Sequence, residues 1–215
     1  MNKQTYIRIT AVAGLVLASL VATSGAYADQ LQQSGDKGSS SSVKTVNKAC
    51  EIAVKIASVG NKEKLSTEIC KVQITTSYSD ARAMTAADIE GAKGSLSAND
   101  FESLAKAVAA GTVKSRFYLQ QMNHITDSET QSGTFYYDGS RAWVTSTYRG
   151  FTGSHRCMID WAVGFGVSPQ NCYESGSSSE RVLSQQWLMS PFLNGFPVSW
   201  SETYTLRVNA LGQVW

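Results

Sequence analysis

The chain has 215 residues, of which 42% are apolar and 17% charged, enough to bury one core and too apolar for a disordered segment. Lys3 and Arg8 sit in an N-terminal leader. Without them 17 basic residues face 17 acidic ones, a neutral balance that argues against nucleic-acid partners and a polybasic membrane anchor.

Residues 1–28 have the form of a secretory signal peptide. Lys3 and Arg8 supply the positive start, residues 11–22 are apolar, and Ala26-Tyr27-Ala28 presents small residues for cleavage after Ala28. The apolar run is too short to span a bilayer, and no later stretch is long enough. The expected destination is the periplasm or the exterior. Residues 29–42 follow as a linker, with residues 34–42 rich in Ser and Gly.

The mature chain changes character near residue 112. Seventeen of the 21 aromatic residues lie at Phe117 or later, whereas every Lys lies at or before Lys114. This segregation predicts one α+β domain over residues 43–215. N-terminal helices (43–111) pack on a C-terminal antiparallel, curved β-sheet (112–215). In chain order, the spacing of Val46, Cys50, Ala53 and Ala57 predicts a helix over 43–59, and Leu65, Ile69 and Val72 a second. A short helix is expected over 85–90. The clearest covers 98–110, capped by Ser97 and ended by Gly111.

Strands follow. Residues 113–122 alternate. Asp138-Gly139, between 134–137 and 140–147, predicts a hairpin with a type I′ turn. Residues 202–208 alternate, Leu211-Gly212 turns, and Val214-Trp215 adds a final short strand.

Cys50, Cys70, Cys157 and Cys172 form an even set suited to an oxidising compartment. Short loops favour Cys50–Cys70 and Cys157–Cys172. The spacing does not fit a zinc site, and no metal or cofactor is expected.

No nucleophile elbow, zinc-protease motif or phosphate loop occurs. Two imidazoles are candidate catalytic bases. His124 ends a strand near Asp127 and Glu129, and His155 lies five residues before Asp160. Either needs a Ser and a carboxylate to make a hydrolytic triad. Trp143, Trp187, Phe192, Phe196 and Trp200 are candidate ligand contacts. Any of these aromatics can equally serve as core, but Phe192 and Phe196 fall in a loop punctuated by Gly195 and Pro197.

Three pieces carry a resemblance: Leu-Ala-Lys-Ala-Val-Ala-Ala-Gly at 104–111, the hairpin Gly-Thr-Phe-Tyr-Tyr-Asp-Gly-Ser-Arg-Ala-Trp-Val at 133–144, and Tyr-Thr-Leu-Arg-Val-Asn-Ala-Leu-Gly-Gln-Val-Trp at 204–215. Over residues 98–215 their order resembles the envelope lipid carriers typified by LolA and the LppX/LprG lipoproteins. The resemblance implies a curved antiparallel sheet wrapped around helices, with acyl chains held between the layers. The chain departs from LppX/LprG in lacking a lipobox Cys. Three function classes stay open. The first is an exported soluble binding protein for an apolar or lipid-like small molecule or a protein partner. The second is a secreted hydrolase using His124 or His155. The third is a toxin-like or structural surface protein.

Overall fold

The computed structural model describes residues 39–59, 66–191 and 199–215, without the side chains of Phe165 and Pro191. The leader, residues 29–38 of the linker, the start of the second expected helix, and Phe192 and Phe196 lie outside the described residues.

Two antiparallel sheets form the molecule. The larger runs β1 (Ser39–Val46), β2 (Lys71–Tyr78), β4 (Lys114–Asn123), β5 (Asp127–Tyr137). The short β3 (Arg82–Ala83) pairs with β4, while β6 (Ala142–Trp143) and β7 (Ser154–Ala162) pair with β5. The smaller sheet has β9 (Glu180–Pro191) between β8 (Phe165–Gly176) and β10 (Trp200–Asn209). Phe135 and Tyr137 of β5 meet Leu183, Leu206 and Val208 of the second sheet in a shared core. Cys157–Cys172 joins β7 to β8, and so one sheet to the other.

The expected fold class is corrected. Strand outweighs helix, 52% to 20%, and the helices do not form an N-terminal layer beneath a C-terminal sheet. β1 precedes the first helix and pairs with β2 along eight residues, in the same sheet as β4. Residues 39–42, expected as linker, are strand, because each meets a residue of β2 across the register. The β-branched run that follows Cys70 is β2, not helix. Long-range pairing has overridden the helical spacing read through Val46 and Val72.

What remains of the first helix is α1 (Lys48–Ala57). Asn47 caps it, its side chain accepting the Cys50 amide at 3.0 Å. Cys50, Ala53 and Val54 pack on Trp187, Met189 and Trp200, and Cys50–Cys70 staples the helix to a 3-10 turn at Thr67–Cys70. The short α2 (Ala86–Ile89) and the longer α3 (Ala98–Ala109) lie apart from it. Ser97 caps α3 as expected, and Leu104 and Val108 are buried with Trp143 and Phe151.

The Asp138-Gly139 hairpin exists with a longer turn. Tyr137 pairs with Ala142, so four residues bridge the strands. Gly139 takes φ +87°, and Asp138 Oδ1 accepts from the Ser140 and Arg141 amides. β6 stops after two residues because Thr145 leaves the sheet to bond Glu174 through its amide and hydroxyl. β7 then takes the place beside β5. Farther on, β10 keeps strict alternation, and Val214 bridges back to Val208.

Candidate functional site

β5 begins Asp-Ser-Glu-Thr-Gln-Ser-Gly, yet every one of these residues is buried. β4 and β7 bond its two edges, and the burial of successive residues shows that both faces are covered as well. Asp127, Glu129 and Gln131 share the face that bears Phe135, toward the second sheet. Gln131 donates to Gln120 at 2.6 Å, and Gln185 from β9 points at the Met122 sulfur at 3.3 Å. The space between the sheets is therefore apolar at one end and polar toward the other.

At the polar end four ionisable side chains converge. His124 follows β4, its amide bonded to the Asp127 carbonyl at 2.8 Å in the turn to β5. Its Nε2 lies 3.3 Å from Glu202 Oε2, 3.8 Å from Glu129 Oε2 and 4.0 Å from Asp127 Oδ2. Alternation along β10 turns Trp200, Glu202 and Tyr204 inward together. The Tyr204 hydroxyl donates to Glu202 Oε2 at 2.5 Å and stands 3.0 Å from His124 Nε2, while the Trp200 indole donates to Glu202 Oε1 at 2.7 Å.

The electrostatics divide the acids. Burial pushes the Glu202 carboxyl up, but hydrogen bonds from His124, Tyr204 and Trp200 outweigh it and hold it below the ordinary range. Burial disfavours a charged His124, yet Glu202 and Asp127 raise its pKa above the usual value. Glu129 has burial first, then Asp127 and Glu202, all acting in one direction, and is pushed up to about 10. Both Glu129 carboxylate oxygens and Asp127 Oδ2 are buried without a hydrogen-bond donor.

His124 also lines a cleft of about 540 Å³. Val46, Val72 and Ile125 line it too, with Lys44 and Lys71. Ile125 is 66% exposed.

His155 lies elsewhere between the sheets. Its Nδ1 is 2.8 Å from the Tyr118 hydroxyl and its Nε2 3.3 Å from the Ser184 carbonyl, and burial lowers its pKa. Asp160 instead accepts from the Ser128 and Thr130 hydroxyls. Among the described residues, no serine hydroxyl bonds either imidazole. Trp143, Trp187 and Trp200 are buried in two separate clusters, Trp143 beneath α3 and the other two beneath α1. The structure thus brings Trp200, but not Trp143, to the His124 site. Sequence reading placed Asp127 and Glu129 beside His124; it missed Glu202 and Tyr204.

Comparison with protein-family models, curated proteins and solved structures finds no match to this chain.

Proposed function

We propose that the chain is an exported binding protein for a small amphiphile. The leader ending at Ala28 directs export. The two disulfides fit an oxidising compartment outside the cytoplasm. The observation that carries the reading is the cleft. Its 540 Å³ lies within the roughly 300–1,000 Å³ range of small-molecule sites. Val46 and Ile125 suit an apolar body, and Lys44 suits an acidic end group, while Lys71 beside it is paired with Glu68 at 2.7 Å. The resemblance to envelope lipid carriers points to the same ligand class.

Native mass spectrometry of the exported protein, followed by titration with a fluorescent long-chain fatty acid, tests the reading. One ligand per chain is expected, with binding weakened about tenfold or more by Ile125→Asp. A ligand-free mass together with no fatty-acid binding overturns it.

A further inference from the structure

We propose that His124, Asp127 and Glu129 bind one divalent transition-metal ion, of the Zn²⁺ or Mn²⁺ class, with Glu202 beside the shell. The spacing is that of a ligand shell. Donor atoms sharing an ion at bonds of about 2.0–2.2 Å stand roughly 3–4 Å apart. His124 Nε2 lies 3.3, 3.8 and 4.0 Å from oxygens of Glu202, Glu129 and Asp127. The ligand atoms of His124, Asp127 and Glu129 all fall within 4.8 Å of one another.

A second observation points to an occupant. Glu129 is fully buried, and neither its carboxylate oxygens nor Asp127 Oδ2 has a donor other than a proton the two acids would share. Buried carboxylate oxygens without donors are costly, and a cation satisfies them at once. The remaining polar atoms form a supporting shell. Trp200 and Tyr204 hold the two oxygens of Glu202, and the imidazole also hydrogen-bonds the Ile69 backbone. Such outer partners orient metal ligands. One imidazole with several carboxylates suits Zn²⁺ or Mn²⁺ better than the thiolate-seeking ions.

The rival account is a shared proton between Glu129 and Asp127, with no ion. The two are separated by stripping the full exported protein with chelator and dialysing it against Zn²⁺ or Mn²⁺. Bound metal is then counted by elemental analysis, and the visible spectrum of a Co²⁺-loaded sample is recorded. The expected result is one ion per chain and a Co²⁺ spectrum of nitrogen–oxygen ligation. Glu129→Gln and Asp127→Asn each lower affinity by about tenfold or more. Circular dichroism and intact disulfide masses identify variants that remain folded. Native protein that retains no ion, or folded variants of both kinds that hold metal as native does, would overturn the proposal. Neither result bears on fatty-acid binding, which is read at Ile125.

Discussion

The Trp200 indole and the Glu202 carboxylate are held together at 2.7 Å, two residues apart on the same inward face of β10. The large aromatic fills the core beneath α1, while its one polar atom fixes a carboxylate. Trp200→Phe keeps most of the packing and removes the donor. It should cost about 2 kcal/mol, the worth of a hydrogen bond to a charged group. Urea unfolding measures it, and a midpoint unchanged from native would show that Glu202 does not need the indole.

The two disulfides act on different joints. Cys50–Cys70 ties α1 to the start of β2, and Cys157–Cys172 ties the two sheets. Replacing either pair by Ala should cost about 3 kcal/mol by the chain-entropy argument. Non-reducing peptide mapping of the purified protein should return these two links and no free thiol, and a Cys50–Cys157 peptide would contradict the fold.

Gly133 of β5 sits tight against the backbone of β7. A Cβ there would lie 1.8 Å from the Ser154 carbonyl oxygen and 2.7 Å from the Tyr118 hydroxyl. Backbone has to move to admit it, so Gly133→Ala should destabilise by about 3 kcal/mol. Gly91→Ala, where no atom lies within 4 Å, is the matched control and should change little. Equal melting temperatures for the two variants would refute the packing.

His155 predicts an acid-sensitive component of stability. Burial lowers its pKa below 6.5, against weaker opposing contributions from Ser184 and Glu174. The unfolded chain therefore binds a proton that the folded chain refuses. The stability from the neutral imidazole is complete above 6.5 and is lost as pH falls from there toward the folded pKa. His155→Gln removes this component. Urea midpoints at roughly pH 7.5 and 5 should separate more for native protein than for the variant.

Elements with their own local signals were legible in the sequence: the Ser97 cap, the alternation of β10, the turn at Asp138-Gly139 and both short-loop disulfides. β1 was not, because four serines read as linker until β2 lies beside them. The start of β5 was hidden for another reason. A strand covered on both faces shows no alternation, and its polar residues gave no apolar run. At the site, His124, Asp127 and Glu129 lie within six positions and were noticed together. Glu202 and Tyr204 reach them only through the packing of one sheet on the other, which no local spacing encodes.

β10 is the last strand described, and it closes a chamber whose opposite wall is laid down by β4 and β5. In the folded chain Asp127, Glu129 and Glu202 are enclosed together. The strand that adds the third carboxylate thus carries its own compensation, since Trp200 and Tyr204 come with Glu202 and donate to both of its oxygens.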